Sequence, residues 1–160
     1  MKTIIEGGID LETHAQGGLR SCIDGRFVGA TRRAFEQVTG LGTDDYYHAS
    51  NAGGVAAPSE GGIKSEDDLV HLGRGVRILG WQGHLDVCGG FPGERDSVLV
   101  RRILTGFVER VDRYPDANHH GFVARLGPNE TREIDVYTPQ DARRFLAKNK
   151  TTISLRDGRR

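Results

Sequence analysis

Thiols are scarce in this chain. Its 160 residues hold two cysteines, Cys22 and Cys88, which permit one disulfide at most. Excess charge is missing too: 22 Lys plus Arg balance 22 Asp plus Glu. A formal net charge of zero gives no global electrostatic reason to expect nucleic acid or an anionic membrane as partner. Long apolar runs are absent as well. No stretch approaches a membrane span, and the start, Met1-Lys2-Thr3-Ile4-Ile5-Glu6, has no apolar core of signal-peptide length. The expectation is a cytoplasmic protein with no membrane partner, in a compartment where thiols stay reduced.

Glycine, by contrast, is plentiful at 23 residues, many of them clustered around the cysteines. The length suits one domain over 1–160, with an arm over 1–17 and a tail over 151–160, able to bury roughly 70% of its unfolded surface. Leu19 to Ile23 reads as a short strand. Ala30 to Thr39 has helical spacing and stops at Gly40. Asp45 to Ala49 is a strand ending in a glycine loop, Asn51 to Pro58. Ser65-Glu66-Asp67-Asp68 resembles a helix start, its acids at the positive end of the dipole. Val76 to Trp81 is the clearest strand and runs into His84. A long helix is predicted from near Glu94 to Arg113, its stripe formed by Val98, Ile103, Leu104, Phe107, Val108 and Val111. Two strands, 121–126 and 133–137, flank a turn at Gly127-Pro128, and a last helix starts at Pro139 and runs through Lys148. The tail, Thr151 to Arg160, reads as an added strand or a mobile end. Strands alternating with helices predict an α/β fold, a mostly parallel central sheet flanked by helices, with a C-terminal strand pair.

In such sheets ligands collect at the carboxyl ends of the strands. Cys22 follows one strand and His84 another, so both are expected at one edge. Cys88 lies four residues after His84, within reach of the same face of a helical turn. Two thiolates and an imidazole suit a zinc ion held by three protein ligands with one position open. For Cys22 and Cys88 the compartment and polar neighbours favour metal over a disulfide. Asp24 and Arg26, taken alone, read as an ion pair at a strand end. His48, His119 and His120 have the side chain for proton shuttling but equally suit a strand surface or a turn.

Three segments in order resemble a known family. Cys22-Ile23-Asp24-Gly25-Arg26, the loop Ser50-Asn51-Ala52-Gly53-Gly54, and Gly83-His84 with Cys88-Gly89-Gly90 are similar to those of the β-class carbonic anhydrases, over about residues 18–110. The spacing departs from that pattern. Three residues, Leu85-Asp86-Val87, separate His84 from Cys88 where the family has two, so alignment on Cys88 puts Leu85 at the histidine position. His84 is the expected third ligand, with Asp86 as the alternative oxygen donor.

The resemblance implies one Zn²⁺ per chain, bound by Cys22, His84 and Cys88, and reversible hydration of carbon dioxide to bicarbonate by zinc-bound hydroxide. Zinc brings the pKa of water down from 15.7 to roughly 7 in open sites. Asp24 would orient the hydroxide, and Arg26 would hold Asp24 off the metal. Asn51, Ala52, Gly53, Gly89 and Gly90 would line the substrate pocket, although tight turns explain the glycines almost as well. The partners implied are a small-molecule substrate and a second copy of the chain, as a homodimer or higher homo-oligomer. Two other readings share the motifs: a hydrolase of carbonyl sulfide or carbon disulfide, and a non-catalytic zinc-binding relative.

Overall fold

The computed structural model describes residues 16–56, 66–67, 70 and 76–157, with side chains as far as Asn149. Most of the N-terminal arm, the end of the glycine loop at Ala57 and Pro58, most of the predicted short helix, and His14 and His71 lie outside the described residues. Five strands and three long helices alternate. Strand β1 (Gly17–Cys22) leads to helix α1 (Gly25–Thr39) and strand β2 (Tyr46–Asn51); β3 (Ile78–His84) leads to α2 (Asp96–Arg113) and β4 (Asn118–Leu126); β5 (Arg132–Tyr137) leads to α3 (Pro139–Asp157). The sheet order is β2-β1-β3-β4-β5. Four strands are parallel, and β5 turns back antiparallel on β4. This is the mostly parallel α/β sheet with a C-terminal strand pair that the residue pattern predicts.

Alternation along the strands splits the core between two faces. One face packs Leu79, Trp81 and Val123 against Ile103, Leu104 and Phe107 of α2 and Ala142 of α3. The other sets Leu19 and Phe122 against Phe35 of α1, with Leu41 and Tyr46. A side chain at Gly83 would put its Cβ 2.5 Å from Ile103 Cγ1, so glycine there lets α2 lie directly on the strand that ends in His84. Val98, expected in the α2 stripe, is exposed; Leu99 takes the buried place at the first turn.

Several boundaries shift from the sequence reading, and three of the shifts matter here. Helix α1 starts at Gly25 rather than Ala30, because the Asp24 side chain accepts from the Arg26 N–H and caps it. Strand β3 extends to His84, making the imidazole its last residue. The segment from Thr151 is neither strand nor loose end, since α3 continues to Asp157. Thr138 and Asp141 start that helix by reciprocal capping, with Pro139 at its first position. Among the described residues no helix is long and apolar enough to cross a membrane.

Candidate metal centre

Order β2-β1-β3 places the switch in strand order between the parallel strands β1 and β3, and the crevice at the carboxyl ends of two such strands is where open α/β sheets bind ligands. Cys22 is the last residue of β1 and His84 the last of β3. Cys88 comes back to them from the following loop. One ligand atom each from Cys22, His84 and Cys88 lies within 4.8 Å of the other two, and all three residues are buried. The cysteines are not bonded to one another.

Each ligand is held by its surroundings. The Cys22 N–H donates to Gln82 Oε1 on the neighbouring strand at 2.7 Å. His84 stacks on Phe27 of α1, ring centroids 4.9 Å apart. Its Nδ1 bonds the Leu85 carbonyl at 2.5 Å, which fixes the proton on Nδ1 and leaves the Nε2 lone pair facing inward. Nε2 is buried with no hydrogen-bond partner. An orphaned imidazole nitrogen beside two thiols has the donor chemistry of a zinc site with three protein ligands.

The protonation balance agrees. Burial pushes the Cys22 thiol up, but the neighbouring His84 imidazole and the backbone N–H groups of Asp24 and Gly53 outweigh it, and the net shift is downward. Burial also dominates at Cys88 and raises it, with Cys22 adding to the rise and the Gly90 and Phe91 N–H groups opposing. His84 is lowered by burial but raised more by Cys22, the Leu85 carbonyl and Asp24, for a net rise. Without metal, Cys22 and His84 therefore share a proton-linked pair.

Asp24 lies at the rim, Oδ2 3.6 Å from His84 Nε2. Arg26 takes both carboxylate oxygens, Nε at 3.0 and 3.1 Å and Nη2 at 2.7 Å. Those bonds are the largest cause of an Asp24 pKa lowered to about 2. Asp86, the alternative donor, is occupied elsewhere: its Oδ2 accepts from the Leu126 N–H at 2.6 Å.

The five expected pocket residues divide. Asn51 is drawn to Arg20, accepting from its Nε at 2.9 Å, and donates to the Ala52 carbonyl at 3.0 Å. Gly53 and Gly90 are where the two loops touch; a Cβ on Gly90 would fall 2.7 Å from Gly53 N. Both also offer N–H groups to the thiols. Ala52 and Gly89 are exposed, and nothing lies within 4 Å of a Cβ built on Gly89. His119 is a core residue, accepting from Trp81 Nε1 and donating to the Tyr114 carbonyl. His48 bonds Ser21 and Ser50 at the edge of the sheet. The expected helical turn between His84 and Cys88 is absent. Asp86 (φ 58°) and Val87 (φ 61°) are both left-handed, which takes up the third intervening residue. Phe27 and Gln82 escaped the sequence reading, because their roles are contacts between separate elements.

No protein-family model matches the chain, and no curated protein is similar to it in sequence. Among solved structures it is similar to β-carbonic anhydrase isoform I of Trichomonas vaginalis, with 14% identity, a TM-score of 0.50, and 81% of this chain and 87% of that chain covered. It also aligns with the β-carbonic anhydrase CafA of Aspergillus fumigatus, at 18% identity and a TM-score of 0.43 over 86% and 83% of the two chains. For the β-carbonic anhydrase CcaA the values are 14% and 0.44, over 80% and 79%. The first of these likenesses shows the fold: this chain has the architecture of the β-carbonic anhydrases.

Proposed function

We propose that the chain binds one Zn²⁺ through Cys22, His84 and Cys88 and catalyses the reversible hydration of carbon dioxide to bicarbonate. The observation that carries this reading is the orphaned His84 Nε2, grouped with both sulfurs and 3.6 Å from a carboxylate already held by an arginine. Zinc there would supply Lewis acidity that makes water a nucleophile near neutral pH.

The chain's own groups do the rest. Nδ1 bonding to Leu85 and stacking on Phe27 keep the imidazole in one tautomer and one plane. Asp24, ionised down to about pH 2, accepts a hydrogen bond from the attacking oxygen and aims its lone pair at the substrate carbon. Arg26 occupies both Asp24 oxygens and keeps that carboxylate off the open position. The family resemblance implies a homodimer or larger homo-oligomer, which sedimentation would test.

The deciding experiment is zinc analysis followed by stopped-flow carbon dioxide hydration with the parent protein and Asp24→Ala. One zinc per chain and a fall of about 10² or more in the variant are expected. Zinc without hydration overturns the assignment; turnover of carbonyl sulfide or carbon disulfide in its place would identify the hydrolase instead.

A further inference from the structure

The step between His84 and Cys88 reaches beyond the metal ligands. Asp86 is tied at three points. Its Oδ2 accepts from Leu126 N–H at the end of β4, and its own N–H donates to Asp96 Oδ1 in the first turn of α2. Its carbonyl accepts from Arg26 Nη2 at 3.1 Å. The same Nη2 donates to Asp24 Oδ2 at 2.7 Å. One guanidinium nitrogen therefore spans the Asp24 carboxylate and the ligand-bearing loop.

Two successive left-handed residues turn the Asp86 carbonyl onto Arg26. Aspartate tolerates that conformation because its short side chain bonds locally, but β-branched Val87 does not adopt it readily. Val87 is also 78% exposed, so no packing repays its strain. The Leu85 N–H bonds the Ala124 carbonyl at 2.8 Å just before the step, and at Asp86 itself the Leu126 and Asp96 bonds hold it.

We propose that Asp86 is a positioning residue for the Asp24–Arg26 pair, its anchored carbonyl fixing the guanidinium that holds the carboxylate. This rests on the hydration reading for its catalytic meaning but not for its geometry. Released from Asp86, Arg26 grips Asp24 less firmly, and the carboxylate becomes free to compete for the open metal position.

The test reads the pair directly. Hydrogen exchange of the Arg26 Nε–H, followed by NMR in metal-free protein, is compared in the parent, Asp86→Gly and Asp86→Asn. Glycine keeps the left-handed backbone but loses the Leu126 anchor; asparagine keeps both the anchor and a tolerance for positive φ. Exchange at least tenfold faster in Asp86→Gly, with Asp86→Asn within twofold of the parent, is expected. Unchanged exchange in the glycine variant, or equal acceleration in both, overturns the proposal. Should Asp86→Gly fail to fold, Asp86→Ser, too short to reach Leu126, replaces it under the same criteria. In the cobalt-substituted protein, the pH midpoint of the visible spectrum should rise in the glycine variant and return in Asp86→Asn. A protein with this exchange pattern but no hydration would refute the function and leave the positioning role standing.

Discussion

Both oxygens of Asp24 accept from Arg26, and those bonds are the largest reason the carboxyl sits at about 2 instead of 3.8. Because the folded value is the lower one, the pair stabilises the fold above the unfolded pKa and stops doing so as pH falls towards 2. Arg26→Ala should raise the Asp24 pKa by about 1 unit, followed by ¹³C NMR of the carboxyl carbon. A value still near 2 would mean that the α1 cap and His84 hold the charge without the guanidinium. At this scale the sequence was most readable where the chemistry is local. Cys22, Asp24 and Arg26 fall within five residues, where a strand end runs into a helix cap and the Asp24 and Arg26 side chains meet. His84 and Cys88 were readable as residue types, but the path between them was not. Helical spacing pointed to a single turn, whereas Asp86 and Val87 adopt a backbone that valine gives no reason to expect. Phe27 and Gln82 were invisible for another reason: a ring stacked across elements and an amide bonded across strands leave no periodic trace.

Among the elements, β1 and α2 are joined by a buried cluster of charge. Glu66 is only 3% exposed, and its carboxylate accepts from Arg20 of β1 and from Arg110 of α2, the latter through Nε at 3.0 Å and Nη2 at 3.1 Å. The same segment reads as a helix start, since Ser-Glu-Asp-Asp has the composition of a cap and a lone sequence cannot show two buried arginines approaching it. Glu66→Ala leaves Arg20 and Arg110 buried without the carboxylate between them. Loss of one partner from a buried ion pair typically costs about 3–5 kcal/mol, and a urea or guanidinium titration should show a destabilisation of that order. A change under about 1 kcal/mol would mean that the arginines find other acceptors. The last helix gives the opposite lesson. Thr151, Thr152 and Ile153 favour strand by their branching, yet α3 runs on to Asp157, because extending a capped helix is cheaper than nucleating a new element.

At the scale of the whole molecule, the candidate site closes a long loop. Cys22 ends β1 and Cys88 lies in the loop after β3, with α1, β2 and β3 between them, so a metal that bridges them ties the two central strands together at their carboxyl ends. Such a metal binds only the folded arrangement and should raise stability by mass action, by about 2.7 kcal/mol at free metal a hundredfold above its Kd. The sign of the pH dependence follows from the metal-free groups. Cys88 is raised by burial above the ordinary thiol range, so near neutral pH it holds a proton that the metal must displace, and the upward shift of His84 acts in the same direction. Each proton released makes affinity rise up to tenfold per pH unit, about 1.4 kcal/mol of added stability. Calorimetry of zinc-loaded and chelator-treated protein should therefore show a gap in Tm that widens from pH 6 to pH 8. A gap that narrows, or none at either pH, would mean that these three side chains do not share an ion, and the hydration reading would fall with it.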